Sequence, residues 1–333
     1  MLLTQATSNL ALQRRLAAVA VLLLAIKLYA WYLTNSVAIL TDALESIVNV
    51  AAAFIGLYSL SVSSRPKDMD HPYGHGKVEF ITAAIEGTLI SVAGIFVIYK
   101  AILNLLHPGE LARLDIGIIL MAGTAVINYI AGGISIKTGK KTNSMALIAG
   151  GKHLRSDTYT TIGIIAGLGL LYFTRIAWID GAVAIIFALI IIYTGYSILR
   201  TSIAGIMDEA DVKLIRQLVL TLNSRRSINW IDLHNLRIIK YGPTLHLDCH
   251  LTVPWYFNVN EAHKEIDLLS GLVREQYGET VELFVHSDGC LPTSCPICKK
   301  GDCPVRQKEF IKTITWTMEN ISSNQKHSLD TPT

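Results

Sequence analysis

The chain has 333 residues, of which 51% are hydrophobic and only 17% are charged, and its mean hydropathy is +0.41. A soluble domain of this length needs more charge on its surface, so the composition argues against a wholly soluble protein. The formal net charge of +3 is too small to indicate nucleic-acid binding. The apolar runs lie between about residue 12 and residue 206. We therefore predict a transmembrane domain over 1–206 and an aqueous part after it.

Six segments are long and apolar enough to cross about 30 Å of hydrocarbon as helices of roughly 20 residues. They are Leu12–Leu33, Ser36–Leu60, Phe80–Leu106, Leu114–Ile136, Ser144–Phe173 and Ile176–Ile203. The first is too long for a secretory signal and has no cleavage site after it, so we expect it to be retained. Nine Lys and Arg residues collect near the span ends on one side, among them Arg14, Arg65 and Lys77, against Arg113 and Arg175 on the other. This asymmetry predicts that both termini are cytosolic.

Ionisable and amide side chains interrupt the second and fifth spans. Glu45 and Asn49 are four residues apart, as are His153 and Asp157, so each pair lies on one helix face. Glu45 and His153 each lie nine residues into their span from opposite sides. At 1.5 Å per residue both are roughly 14 Å deep, near the midplane. Four nitrogen and oxygen ligands at one level would suit a tetrahedral divalent ion.

A second interpretation is that these are hydrogen-bonded pairs that only fix helix packing. Asp42, one turn before Glu45, fits either a supporting role at the site or a packing role. Lys152 and Arg155 point to other faces, and we interpret them as side chains that reach the membrane surface. Lys27, Glu86 and Lys100 are candidates for pairing inside the bundle, with no function assigned to them.

The loop after the second span contains Asp68, His71 and His75, whose spacing is compatible with a metal site on the cytosolic side. The alternative is an ordinary polar loop that happens to contain two histidines.

The periodicity changes after Met207. Helices are predicted over Asp211–Leu222 and Asn260–Tyr277, and strands over Leu233–Lys240, Thr244–Val253 and Thr280–His286. This α-β-β-α-β order predicts a small two-layer α+β domain over 207–289. Alternation places His246, Asp248 and His250 on one strand face, and further candidate ligands are His234, His263, His286 and Asp288.

Residues 290–333 form a tail that contains Cys290, Cys295, Cys298 and Cys303. Cytosolic thiols stay reduced, so the four cysteines fit either a four-thiolate metal site or idle thiols on a flexible segment. Low apolar content after about residue 310 predicts disorder there.

Several motifs together resemble the cation diffusion facilitator family, in particular its bacterial zinc and iron efflux members. They are Asn35-Ser-Val-Ala-Ile-Leu-Thr-Asp42-Ala, Asp70-His-Pro-Tyr-Gly-His-Gly-Lys77, His153-Leu-Arg-Ser-Asp157, Leu233-His-Asn-Leu-Arg237 and Val285-His-Ser-Asp288. The resemblance covers about residues 10–290. It implies a homodimer in which each protomer has a six-helix transmembrane bundle and a cytosolic ferredoxin-like domain, and which exchanges metal for protons.

Carried over by position, the resemblance assigns three sites. The transport site falls on Glu45, Asn49, His153 and Asp157; the loop site on Asp68, His71 and His75; and the cytosolic site on His234, His250, His263, His286 and Asp288. A charge pair that joins protomers near the membrane surface falls on Lys77 and Asp208. One departure is that relatives usually carry Asp or His followed by Asp where this chain has Glu45 and Asn49, which could loosen zinc preference toward iron, manganese or cobalt.

The sequence thus predicts a transporter, not an enzyme, that exports a divalent metal, foremost Zn²⁺, from the cytosol of a prokaryote across its inner or plasma membrane. Its expected partners are a second copy of the chain, the lipid bilayer, the metal and protons, and no cofactor is expected besides bound metal. Two alternatives are a membrane-bound metal sensor or storage protein that does not transport, and an intramembrane hydrolase around zinc. The hydrolase would be expected to carry H-E-x-x-H, which this sequence lacks.

Overall fold

A computed structural model describes residues 2–63, 65–106, 112–142, 145–174, 176, 178–241, 244–278 and 281–329. Some side chains within these helices are outside the description, including those of 141–150 and 152. The interpretations of Lys152 and Arg175 therefore lie outside the described residues. The chain forms two compact units, one of residues 1–60 and 81–203, and the other of residues 61–80 and 204–333. The segment after the second helix thus groups with the C-terminal domain.

The first unit is helical throughout its described elements. Its six helices are α1 (Leu2–Thr34), α2 (Val37–Ser63), α3 (Val78–Leu106), α4 (Leu114–Thr142), α5 (Met145–Thr174) and α6 (Trp178–Ile206). Each predicted span is confirmed as a helix, and most helices are longer than the prediction. Within the described residues, stretches of α1, α3, α4 and α6 are long and apolar enough to cross a membrane. Apolar side chains from all six helices form one buried cluster, which includes Ala30, Ile39, Val97, Met121 and Leu168.

A carboxylate fixes the start of α2. Asp180, in the first turn of α6, is 1% exposed and accepts hydrogen bonds from the backbone N–H groups of Val37 (2.8 Å) and Ala38 (3.3 Å) and from the Ser36 hydroxyl. The first N–H groups of a helix have no partner within the helix, so a carboxylate placed there satisfies them and favours the helix dipole. Asp180 therefore links α6 to the helix that carries Glu45 and Asn49.

Two helix pairs approach closely enough to require glycine. A Cβ on Gly87 of α3 would lie 2.8 Å from the carbonyl oxygen of Gly195 on α6, and one on Gly195 would lie 2.7 Å from that of Gly87. Gly132 of α4 and Gly151 of α5 have the same reciprocal relation, at 2.8 and 2.7 Å. Small residues at such crossings let two helix backbones touch.

The second unit contains the predicted α+β domain. Its elements are α7 (Val212–Ser224), β1 (Asp232–Tyr241), β2 (Thr244–Val253), α8 (Val259–Tyr277) and β3 (Val281–Gly289). The strand order is β1-β2-β3, with β1 and β2 antiparallel and β2 and β3 parallel. Asp211 caps α7 through the backbone N–H groups of Lys213 and Leu214, and Asn258 forms a capping box with Glu261 at α8. The core includes Leu218, Leu233, Leu251 and Val273.

The tail does not match the predicted disorder. Trp316 is 2% exposed and packs into the core of the domain together with Ile321 of α9 (Met318–Ile321). Asn223 of α7 accepts from the Trp316 N–H at 3.1 Å and donates to its carbonyl oxygen at 2.7 Å. The segment is mostly polar, and its composition therefore predicted disorder. A few apolar residues are enough to order it, because they pack into the domain core and Asn223 forms hydrogen bonds with the backbone of Trp316.

Candidate metal centres

The transmembrane candidate site brings together residues of α2 and α5. The Asn49 side-chain amide donates to Asp157 Oδ2 at 2.9 Å, and His153 Nε2 lies 3.8 Å from Asp157 Oδ1. Asp157 is 6% exposed. Glu45 lies one turn before Asn49 on α2 and interacts electrostatically with Asp157, but no direct contact between them is found among the described residues. Three of the four predicted ligands therefore meet, and Glu45 stands one turn away.

The carbonyl oxygen of Asn49 is buried without a hydrogen-bond partner. Leaving such an acceptor unpaired costs about 1–3 kcal/mol, so the atom calls for a partner. Turning the amide over would not help, because it would place this oxygen against the Asp157 carboxylate, which is also an acceptor. The unpaired oxygen and the adjacent carboxylate are the kind of donor set that binds a cation.

Asp42 has a partner of its own. The Lys27 ammonium lies 2.6 Å from Asp42 Oδ2 and donates to the Ser46 hydroxyl at 2.8 Å, and both ionic side chains are at most 2% exposed. Thr161 of α5 donates to Asp42 Oδ1 at 2.8 Å. This ion pair joins α1, α2 and α5, which confirms that Lys27 pairs inside the bundle and favours a packing role for Asp42.

The loop candidates lie together in the second unit. Asp68 Oδ1 is 3.1 Å from His71 Nδ1, and Asp68 Oδ2 is 3.2 Å from His75 Nε2. A hydrogen bond from the backbone N–H of His71 is the largest influence that lowers the pKa of Asp68. One ligand atom from each of the three residues lies within 4.8 Å of the others, which is compatible with a single ion.

Three histidines form a row across the sheet. His234 of β1 pairs in register with His250 of β2, which pairs with His286 of β3. Asp288 Oδ2 lies 3.5 Å from His234 Nε2 and 3.4 Å from His250 Nδ1, and Asp288 Oδ1 lies 3.6 Å from His286 Nε2. Ligand atoms of His234, His250 and Asp288 lie within 4.8 Å of one another. The fifth predicted ligand, His263, is 68% exposed on α8 beside Asp267, and no contact with this row is found among the described residues.

Sequence analysis missed a carboxylate behind this row. Asp232 Oδ2 lies 3.2 Å from His234 Nδ1, and Asp232 also contacts the imidazole and the backbone N–H of His327 in the tail. Burial raises the pKa of Asp232, but hydrogen bonds from His234 and His327 outweigh it and hold the pKa well below its usual range. A carboxylate on one ring nitrogen of a histidine leaves the other free to bind metal. The sequence did contain a signal for Asp232, since it lies two residues before His234 in β1, and residues two apart on a strand point to the same face.

The tail also reaches a candidate ligand directly. The Lys326 ammonium lies 3.4 Å from Asp288 Oδ1. The positively charged Lys326 side chain is therefore already next to Asp288, the carboxylate that His234, His250 and His286 approach.

The remaining predicted residues are placed as follows. Lys77 Nζ lies 2.9 Å from Asp208 Oδ2 within one chain and 4.7 Å from the ring centre of Tyr241. His246 is buried and turns to Glu282, with His246 Nδ1 3.2 Å from Glu282 Oε2, instead of joining the histidine row. The four tail cysteines are unpaired thiols that line one cavity.

A helical unit with apolar helices long enough to span a membrane, polar side chains that meet between α2 and α5, and a histidine row in the second unit are together typical of a membrane protein that handles metal ions. A family model of the cation efflux transmembrane domain matches residues 15–207, and one of the cation efflux protein cytoplasmic domain matches residues 207–290. The chain belongs to the cation diffusion facilitator family. It is an integral membrane protein and a cation efflux transporter, not an enzyme, and the predicted two-part fold is confirmed.

Three relatives are between 26% and 30% identical to this chain over the aligned residues. An uncharacterized transporter of Synechocystis sp. is 30% identical over 75% of this chain and 81% of its own length. The manganese efflux system protein MneS of Bacillus subtilis is 28% identical, over 76% and 86% of the two chains. The cation-efflux pump FieF of Pectobacterium atrosepticum is 26% identical, over 81% and 89%.

Proposed function

We propose that the protein exports a divalent transition metal from the cytosol in exchange for protons, with Glu45, Asn49, His153 and Asp157 as the transport site. The observation that carries this proposal is the unpaired, buried carbonyl oxygen of Asn49, whose amide is held 2.9 Å from Asp157. A cation between α2 and α5 would satisfy that oxygen and share the charge of Asp157.

The donor chemistry supports a transition metal over a hard cation. One imidazole with carboxylate and amide oxygens suits Zn²⁺, Fe²⁺, Co²⁺ or Mn²⁺, and Cd²⁺ is a further candidate. Zn²⁺ remains our first choice because four such ligands match its tetrahedral preference. The manganese named for the Bacillus subtilis relative is the main rival. An amide oxygen binds a cation more weakly than a carboxylate does, so Asn49 is the position at which selectivity is best tested.

Proton exchange follows from the same ligands. Metal binding requires a neutral imidazole and ionised carboxylates, so protons and metal compete for His153, Asp157 and Glu45. Exposure to a more acidic outside favours protonation and release, and exposure to the cytosol favours metal capture. Alternating access would then couple the two flows.

The proposal includes a homodimer in an inner or plasma membrane, with both termini in the cytosol. Lys77 and Asp208, which lie 2.9 Å apart within one chain, would pair between protomers in that dimer. The loop site and the histidine row would bind cytosolic metal and favour one arrangement of the two cytosolic domains. The contacts of His234 and His250 with Asp288 support this role, and an exposed His263 would be free to contribute from a second protomer.

The central test is flux into proteoliposomes that contain purified full-length protein and a metal-sensitive dye. We expect Asp157→Asn and His153→Ala to abolish uptake of Zn²⁺, and Asn49→Asp to shift the order of uptake among Zn²⁺, Mn²⁺, Fe²⁺, Co²⁺ and Cd²⁺ toward zinc. Asp115→Asn, which removes an exposed carboxylate from the first turn of α4, is the matched control and should transport like the parent. Unchanged uptake by the His153→Ala, Asp157→Asn double variant would refute the site.

The same vesicles separate transport from sensing. A trapped pH dye should report proton movement against the metal in the parent and not in Asp157→Asn. Stoichiometric metal binding without flux in the parent would favour the sensor or storage interpretation instead.

A further inference from the structure

The four tail cysteines surround one small cavity. Cys290, Cys295, Cys298 and Cys303 all line it, together with Lys300 and Arg306. Cys290 lies within electrostatic range of the other three thiols. The cavity has a volume of about 20 Å³, room for one water-sized sphere. That size fits a single ion and is too small for an inorganic cluster of several atoms.

The backbone around these thiols is held in place by specific hydrogen bonds. The N–H of Cys298 donates to the carbonyl oxygen of Cys295 at 3.2 Å, which closes a tight turn over Cys295-Pro-Ile-Cys298. The Arg306 guanidinium donates to the carbonyl oxygens of Cys295, Cys298 and Lys300. The N–H of Cys290 donates to the carbonyl oxygen of Val253 at the end of β2, which anchors the segment to the sheet. The C-x4-C-x2-C-x4-C spacing is thus folded back on itself.

This segment has little else to hold it together. Among the residues that the structure describes, its apolar cluster has four buried members, Ile231, Ile297, Cys298 and Ile314, with Cys290 and Leu329 packed against them. The described residues between Cys298 and Thr317 form no helix or strand. Polypeptides of this length with so small a core usually need a disulfide or a metal to stay folded, and the packing of Trp316 into the domain core holds only the far end of this segment. All five cysteines of the chain are free thiols, and a cytosolic location would keep them so.

We propose that Cys290, Cys295, Cys298 and Cys303 bind one thiophilic divalent cation of the Zn²⁺ type, which is a resident structural ion and not transported cargo. Four thiolates with one Zn²⁺ carry a net charge of −2, and Lys300 and Arg306 at the cavity wall offset it. Metal–sulfur bonds of about 2.3 Å require the sulfurs to close on one point. No three of these described thiols yet lie within 4.8 Å of one another, so binding draws the side chains inward by rotation about χ1.

The ion would also determine where the end of the chain lies. The cysteine segment leads directly to Trp316 in the domain core and then to Lys326 and His327, which contact Asp288 and Asp232. Loss of the ion should therefore loosen contacts at the histidine row as well.

Cobalt substitution of the reduced full-length protein in detergent tests this proposal. Titration with Co²⁺ should give thiolate-to-cobalt charge-transfer bands whose final intensity corresponds to one thiolate-bound ion per protomer, and Zn²⁺ should remove them; these bands do not arise from ions bound only by nitrogen and oxygen ligands. The four-fold Cys→Ser variant should lose the bands, and Cys249→Ala should keep them because Cys249 is 2% exposed inside the core. Cys303→Ser alone should shift or weaken the bands, which keeps the test decisive if the four-fold variant fails to fold.

Alkylation provides a second readout that is independent of transport. Bound Zn²⁺ should slow modification of the four tail thiols more than tenfold, while Cys249, whose pKa burial raises to about 12, should stay unreactive with or without metal. The proposal is overturned if no thiolate–cobalt band forms, if the band persists in the four-fold variant, or if anaerobically purified protein carries an iron–sulfur cluster at these residues. None of these measurements depends on metal transport into vesicles. Failure of this proposal can therefore be distinguished from failure of the proposed transport site.

Discussion

Removing one partner of the Lys27–Asp42 pair should be far more damaging than removing both. The two side chains are at most 2% exposed, and the ammonium lies 2.6 Å from the carboxylate. Lys27→Met would leave the Asp42 carboxylate buried beside apolar side chains, at a cost of about 3–5 kcal/mol. Asp42→Leu should cost a similar amount, because the ammonium would keep only its bond to Ser46. The double variant loses both charges together with the hydrogen bonds that Thr161 and Ser46 made to them. Thr161 can still donate to the carbonyl oxygen of Asp157 at 2.8 Å, so the remaining cost should be about 1 kcal/mol.

The assay is the fraction of full-length protein that stays monodisperse in detergent after heating, measured by size-exclusion chromatography. A loss of about 3–5 kcal/mol corresponds to a midpoint roughly 6–20 °C lower, at about 2–4 °C per kcal/mol for a domain of this size. Each single variant should show that drop, and the Lys27→Met, Asp42→Leu variant should recover most of it. If the double variant drops by the sum of the two single drops, the two residues are not coupled and the reasoning is wrong. A stable double variant without zinc flux would instead assign Asp42 to the transport site.

Three further expectations concern other contacts. Asp180→Ala should lower the same midpoint by several degrees, since it removes charged hydrogen bonds at the start of α2 worth about 1.5–3 kcal/mol each; an unchanged midpoint would show that the helix start needs no cap. Lys326→Ala should raise the affinity of the histidine row for Zn²⁺ about 1.4- to fivefold in calorimetric titration of a His71→Ala, His153→Ala background, because it removes an ion pair with Asp288 worth about 0.2–1 kcal/mol; weaker binding would contradict competition between Lys326 and the metal. A hydrogen bond from Lys240 lowers the pKa of Asp211 in the folded protein. The ionised Asp211 carboxylate therefore stabilises the fold fully above about pH 4, and this stabilisation is lost as the pH falls further. Asp211→Asn keeps the cap of α7 but not the ion pair, and should therefore show a weaker acid dependence in melts followed by tryptophan fluorescence; equal acid dependence in both proteins would refute it.

Helices and strands could be predicted from the sequence wherever a single hydrophobic pattern dominated a segment. Six apolar runs predicted six helices because lipid imposes length and composition on a span. Strand β2 was predicted with its observed bounds, Thr244–Val253, because its inward residues alternate with His246, Asp248 and His250. Helical spacing and depth also brought Asn49 into contact with Asp157, since those two rules fix the level and the face of each helix.

Long-range pairing was beyond the reach of the sequence. Nothing local indicated that β1, β2 and β3 pair in a register that aligns His234, His250 and His286, because register depends on the neighbouring strand. The carboxylates of Asp180 and Asp232 could not be assigned partners for the same reason. The tail was predicted to be disordered from its mostly polar composition, yet Trp316 and Ile321 pack into the core of the domain, and an average over the segment does not show two such residues.

The glycine contacts constrain how the bundle can rearrange. Where the backbones of α4 and α5 touch at Gly132 and Gly151, a shift along either helix would drive a carbonyl oxygen into the next Cβ, so the two helices should travel as one body. Gly87 and Gly195 lock α3 to α6 in the same way. If the proposed transport site opens first to one face of the membrane and then to the other, the movement must take place at helix contacts made by side chains, and the Asn49–Asp157 contact between α2 and α5 is one of these. A bound ion would then lie at the interface between α2 and α5, where the helices move relative to each other.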